Sequence, residues 1–318
     1  MKATRIVTIL LLAALCLLAS CRKKDYDTST TSYPSLSGLY FDIQPFGRVG
    51  QTFTLTPKGT TQTYVSEDPT FHYYWKINGG SADTTDVFTF IPDTLGAYTI
   101  QVTAYASGFI STVYTGTVDI IDPTLGKTLT GTGIKATDPS VVDSRGGDGS
   151  ENTYYYSTAG GLDFFRNNLA YTGSGRAYMD TDVTSYILGR YYTWEEAVTA
   201  CPPGWRLPTL EEVQALFGSD AGAIMTDAYL NETKMWEYWP QVKVSDEDGF
   251  YAFIPSGYAN NLRGVFDGLY SYAAVWTSTE DPSMPGQANY FYINVKDPAT
   301  HIGSGDKTSL ALSVRCVR

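Results

Sequence analysis

One stretch of this chain approaches the length needed to cross a membrane, and it falls short. The apolar run from Ile6 to Ala19 follows two early cations, Lys2 and Arg5, and ends in an abrupt polar switch at Arg22-Lys23-Lys24-Asp25. A spanning helix needs roughly 20 apolar residues. A short apolar core behind a basic start, closed by small residues, is the pattern of a cleaved secretory leader. Residues 1–20 are therefore expected to leave as a signal peptide, and the rest of the chain has to fold in water.

Leu18-Ala19-Ser20-Cys21 resembles a lipobox, in which small residues admit the peptidase and the cysteine thiol takes a diacylglycerol. That resemblance implies lipidation of Cys21 and a membrane partner reached through lipid alone. Two or more acyl chains hold firmly, at about 0.8 kcal/mol per buried methylene. Arg22 is not the aspartate that retains many lipoproteins at the inner membrane, so the outer membrane is the expected site. Lys23-Lys24-Asp25-Tyr26-Asp27 resembles a surface-export tag, which implies cell-surface exposure. An ordinary signal peptide with an incidental Cys21 is the alternative.

With Cys16 in the leader and Cys21 lipidated, Cys201 and Cys316 remain. In an oxidising compartment two leftover cysteines most simply pair, with two free thiols as the alternative. The formal charge of −11 argues against nucleic acid, which needs a basic footprint. Twenty-five tyrosines, with many threonines and glycines, point to β-rich domains.

Residues 21–37 are polar and Ser/Thr-rich, the composition of a flexible tether. Residues 38–122 carry strand patterns. Phe71, Tyr73, Trp75 and Ile77 alternate up to the turn Asn78-Gly79-Gly80, and Asp93-x-x-Gly96-x-Tyr98 leads into a second alternating strand. This segment resembles a PKD-like or immunoglobulin-like β-sandwich, with Trp75 as core tryptophan and Tyr98 as its tyrosine corner. Residues 123–144 read as a linker.

Residues 145–318 carry the sharpest motifs. Thr193 to Ala200 reads as a short amphipathic helix. Thr209-Leu210-Glu211-Glu212 is a capping box, Val213, Leu216 and Phe217 form an apolar stripe, and Gly218 stops the helix. Strands are expected over 249–258, 274–280, 290–295 and 311–317. Asn168-Leu169-Ala170-Tyr171, Tyr192-Thr193-Trp194, Cys201-Pro202-x-Gly204-Trp205-Arg206-Leu207-Pro208-Thr209, Phe253-x-Pro255-x-Gly257, Trp276-Thr277-Ser278-Thr279 and Ser313-Val314-Arg315-Cys316 are similar to the Fibrobacter succinogenes major paralogous domain. Arg206 departs from the histidine many members carry. The resemblance implies an α+β, C-type-lectin-like fold, with a disulfide from the first helix region to the final strand. Cys201 and Cys316 stand at those positions.

The groups that catalysis requires are sparse. His72 and His301 are the only histidines, so metal clusters and a Ser/His/Asp triad lack candidates. Glu195-Glu196 and Glu211-Glu212 are sequence neighbours that point apart on a helix, so they read as solvated faces rather than a glycosidase pair. Formylglycine-generating oxidases share a related fold, but they need a reactive cysteine pair. Calcium has two weak candidate sites in acidic loops, Asp143, Asp148 and Glu151, and Asp246 and Asp248. Trp236, Tyr238, Trp239, Tyr258, Asn260, Asn261 and Arg263 combine flat rings with amide and guanidinium groups, a set suited to sugars. The alternative for Trp236 and Trp239 is core packing. The chain is thus expected to be a non-enzymatic, cofactor-free surface lipoprotein that binds a glycan in adhesion, with a protein partner or pilus assembly as the second reading.

Overall fold

The computed structural model describes residues 33–62, 70–146, 151–236 and 242–318. The leader, Cys21 and most of the expected tether lie outside the described residues. The architecture is predominantly β, in two parts.

In the first part, the alternating strand His72–Ile77 lies inside a five-stranded sheet. The order is Phe46–Gly47, Thr112–Ile120, Gly96–Tyr105, His72–Ile77, Gly80–Asp83. Asn78 and Gly79 both take positive φ, at 48° and 78°, which lets a two-residue turn follow the strand twist. A two-stranded sheet, Phe53–Leu55 with Phe88–Phe90, packs on this layer. Between the layers sits Trp75, fully buried, its indole N–H donating to the Thr85 carbonyl at 3.0 Å. The Tyr98 hydroxyl donates to Asp93 Oδ1 at 3.1 Å and accepts the Thr94 N–H at 3.2 Å, which fixes the corner entering its strand.

Two expected boundaries are corrected. The tether does not run to residue 37, because Leu36 is buried and its N–H donates to the Ile110 carbonyl at 2.9 Å. Apolar Leu36, Leu39 and Phe41 join the core, and that burial outweighs the polar composition around them. Residues 123–144 are not a free linker. Leu129–Thr130 pairs with Tyr229–Leu230, and Ser140–Asp143 pairs with Asn152–Ala159. Strands this short give too few residues to display a period.

The second part centres on a sheet ordered Val265–Leu269, Ser256–Asn260, Tyr272–Glu280, Gln287–Asn294, His301–Asp306, with Leu310–Ala311 also paired to Ser256–Asn260. Ala273, Val275, Phe291 and Ile293 face one core, where Val213, Leu216 and Phe217 of the Leu210–Phe217 helix meet Trp236 and Phe253. The helix carries the expected capping box at Thr209 and Glu212, and Gly218 ends it with φ 62°. The preceding helix, Trp194–Ala200, is capped in the same way by Thr193 and Glu196.

The strand expected over 249–258 begins only at Ser256. Upstream, Asp246 gathers the N–H groups of Phe250, Tyr251 and Ala252 at 2.7–3.0 Å and bends the chain out of extended form. Ala252 takes φ 49° there. The C-terminal strand is likewise reduced to Leu310–Ala311. Beyond it the chain makes single bridges to Tyr192, Val275, Phe164 and Arg206.

The two parts meet through a shared apolar cluster in which Phe46 and Ile121 pack with Val183, Leu188, Met235 and Ile254. At its rim the Asn231 amide donates to Asp119 Oδ1 at 2.6 Å and to the Ile120 carbonyl at 3.1 Å.

Candidate functional site

The central sheet of the second part has two unlike faces. Alternation sends Ala273, Val275, Phe291 and Ile293 inward, so Tyr272, Tyr290 and Tyr292 stand on the opposite side. Tyr258 joins them from the neighbouring strand, its ring 5.4 Å from that of Tyr272 and tilted by 70°. Tyr258 pairs in register with Asp267, so both side chains emerge on one face of their hairpin, while Ala259 and Phe266 take the other. The result is a cleft of about 430 Å³ lined by Tyr258, Asp267, Ser271, Tyr272, Tyr290 and Leu310.

Glycines make room for these rings. A Cβ on Gly303 would stand 2.3 Å from the Tyr290 ring, and one on Gly305 would stand 3.3 Å from it. Gly268 takes φ 76° at the cleft floor, where a Cβ would crowd Tyr272 at 2.9 Å. The Tyr258 hydroxyl donates to Asp267 Oδ2 at 3.3 Å, and the Gly268 N–H donates to Oδ1 at 2.7 Å. Burial, then the Asp267 charge, pushes the Tyr258 hydroxyl above the ordinary tyrosine range. Burial raises Tyr272 and Tyr290 in the same direction, so all three rings stay neutral at physiological pH. Neutral phenols, a carboxylate and flat apolar faces can bind a polar ligand by stacking and hydrogen bonding.

Of the described residues that the sequence suggested for a ligand, Tyr258 alone lines this cleft. Asn260 is spent on the hairpin turn, its Oδ1 accepting the Arg263 N–H at 3.0 Å. The Asn261 N–H donates to the Ser309 carbonyl at 2.7 Å, and the Arg263 side chain is exposed at the turn. Trp236 is corrected from a ligand residue to a core residue. It is 1% exposed, and its indole N–H donates to the Phe253 carbonyl at 3.1 Å, because the space between helix and sheet needs a large ring. Tyr238 and Trp239 lie outside the described residues.

The calcium candidates are corrected too. Arg145 grips both Asp143 oxygens at 2.8 Å, and three backbone N–H groups occupy those of Asp246. Glu151 and Asp248 are exposed, and Asp148 lies outside the described residues. Among the described residues no group of three His, Cys, Asp or Glu is placed to hold a metal.

Cys201 and Cys316 form a disulfide with Cα atoms 5.9 Å apart, closing 115 residues of chain. The free-thiol alternative is overturned, and with it the reactive pair that the oxidase reading required. Arg206 is accounted for by a bidentate pair with Glu212 at 2.6 and 2.7 Å.

Sequence reasoning missed Asp267, Ser271, Tyr272 and Tyr290. The signal available was Tyr290-Phe291-Tyr292-Ile293, whose alternation puts the two tyrosines on one face and Phe291 with Ile293 on the other.

The model of the Fibrobacter succinogenes major domain matches residues 132–318, more than half of the chain. The chain belongs to that family. The Fibrobacter succinogenes major domain thus starts 13 residues before the expected boundary at 145 and takes in the Ser140–Asp143 strand. No curated protein matches the chain. Among solved structures, the Yersinia pseudotuberculosis adhesin InvE is 14% identical, with 90% of this chain and 70% of that one covered and a TM-score of 0.28. At that score the likeness carries no argument. No helix among the described residues is long and apolar enough to cross a membrane.

Proposed function

We propose that this protein is a non-catalytic binding module whose Fibrobacter succinogenes major domain holds a glycan in the tyrosine cleft. On this reading residues 1–20 are a cleaved leader and Cys21 is the lipid attachment that displays the chain at the outer-membrane surface. The first part is a PKD-like or immunoglobulin-like spacer and the second is a C-type-lectin-like head. One observation carries the reading: Tyr258, Tyr272 and Tyr290 line a cleft with Asp267, although the same sheet buries Trp276 and Phe291. Sugar rings stack on such faces while hydroxyl and carboxylate groups bond their hydroxyls.

A glycan array probed with the chain and with its Tyr258→Ala and Tyr290→Ala variants tests this. Binding that is lost in folded variants is the expected result. Glycan binding that survives both substitutions would place the site elsewhere. No binding to any glycan would favour a protein partner or a role in envelope assembly.

A further inference from the structure

The cleft has a charge character that the glycan reading does not use. Its walls are aromatic, its one formal charge is the Asp267 carboxylate, and none of the described residues lining it is basic. The hairpin's own cation, Arg263, is exposed at its turn and does not line the cleft. Arg176 lies 5.4 Å from the centroid of the Phe266 ring, on the hairpin face opposite Tyr258 and Asp267, and pairs with Asp180. The rings of Tyr258 and Tyr272 meet at 70°, and Tyr290 supplies a third aromatic wall. Each Asp267 oxygen takes one hydrogen bond within the hairpin and keeps a further lone pair.

Tyrosine faces carry negative quadrupole density, which attracts a cation placed over them. A carboxylate beside them adds Coulomb attraction in a partly desolvated cleft. An anionic sugar would be repelled by Asp267, and a neutral one would leave the carboxylate's charge unused. We infer that the tyrosine cleft selects an alkylammonium group, held in the cleft against Tyr258, Tyr272 and Tyr290 with Asp267 as counter-ion. This inference rests on the reading of the cleft as the binding site and narrows its ligand to a cation. The ammonium can be carried on an amino sugar or on a small quaternary amine.

Calorimetric titration of the full chain compares choline with 3,3-dimethylbutan-1-ol, its uncharged carbon isostere, and glucosamine with glucose. At least one charged member should bind tenfold or more tightly than its uncharged partner. Asp267→Asn, at an exposed position, should reduce that preference about tenfold, and Tyr290→Ala should abolish binding. A stronger signal from glucosamine than from choline would assign the ammonium to a sugar, and the reverse order to a quaternary amine. Equal binding of charged and uncharged partners, no binding by any of the four, or an Asp267→Asn chain that keeps its preference would each overturn the inference. Array binding that is lost in Tyr290→Ala without any preference for ammonium would sink the cation while leaving the glycan reading intact.

Discussion

The two parts of this molecule reach a packed core by opposite routes. The first uses long alternating strands, with Gly96–Tyr105 and Thr112–Ile120 paired in unbroken register around Trp75. No disulfide among the described residues staples it. The second has more irregular chain, and it relies on point fixtures. Cys201–Cys316 ties the end of one helix to the C-terminus, and the buried Arg315 guanidinium donates to the carbonyls of Tyr251 and Ala252 and to Asn168 Oδ1 while lying over Phe253. Burial pulls that guanidinium below its ordinary range, with Asp246 opposing the shift and Arg166 adding to it. Where backbone ladders are short, backbone polar groups need side-chain partners. The comparison shows which kind of fixture each kind of chain needs, and it also leaves the second part with loops and edges from which a cleft can be built.

The largest expected effect comes from replacing both Cys201 and Cys316 by alanine. A loop of this length contributes about 4.7 kcal/mol on the chain-entropy account, and the loss should appear as weakened amide protection across 152–318. Protection across 71–120 should hold. Equal loss in both would show that the cluster around Phe46 and Ile121 makes the two parts unfold together, which would break the contrast.

Trp75→Ala is the converse. Removing the central side chain of the first part's core should cost about 4 kcal/mol in denaturant unfolding, with the second part's disulfide-closed core keeping its protection. A cost near zero would mean that the alternating strands hold without their central ring.

The smallest effect sharpens the account of the point fixtures. Glu212 has its carboxyl lowered chiefly by the Arg206 hydrogen bonds, with further help from the Thr209 N–H. Its contribution is therefore full above the ordinary carboxylate pKa and is lost as pH falls through the folded value. Glu212→Gln keeps the cap geometry but removes the charge. It should cost about 0.5 kcal/mol at neutral pH, as the pair is partly exposed, and the gap from the parent should close in acid. A gap that is constant with pH would mean that the ion pair contributes nothing.

Much of the fold is legible in residue order because its causes are local. Phe71, Tyr73, Trp75 and Ile77 announce a strand by period, Asn78-Gly79 announces its turn, and Thr209 with Glu212 announces a helix start. The Thr193–Glu196 capping box follows the same rule and was there to be found. The family motifs, spread from Asn168 to Cys316, identify the second part without any geometry. The short pairings at Leu129–Thr130 and Ser140–Asp143 are not legible, since two to four residues show no period and their partners lie up to 101 residues away.

The candidate site divides in the same way. The chain order reveals that aromatic residues are abundant, but not which of them keep a face in solvent. Trp236 and Tyr258 both offer a flat ring to a sugar in sequence, and the spacing of Trp236 and Trp239 already favours core packing. Trp236 is buried because a helix, a strand and the 250–253 bend converge on it, while Tyr258 is left half-exposed because only its own sheet supports it. Composition, periodicity, caps and the two unassigned cysteines are properties of neighbouring residues, so the sequence by itself determined them. Which carboxylates are consumed by Arg145 or by backbone N–H groups, and which rings line a cleft beside Asp267, depends on segments distant in the chain. Burial and hydrogen-bond partnership across such distances exist only once the chain has folded, so only the tertiary structure decided them.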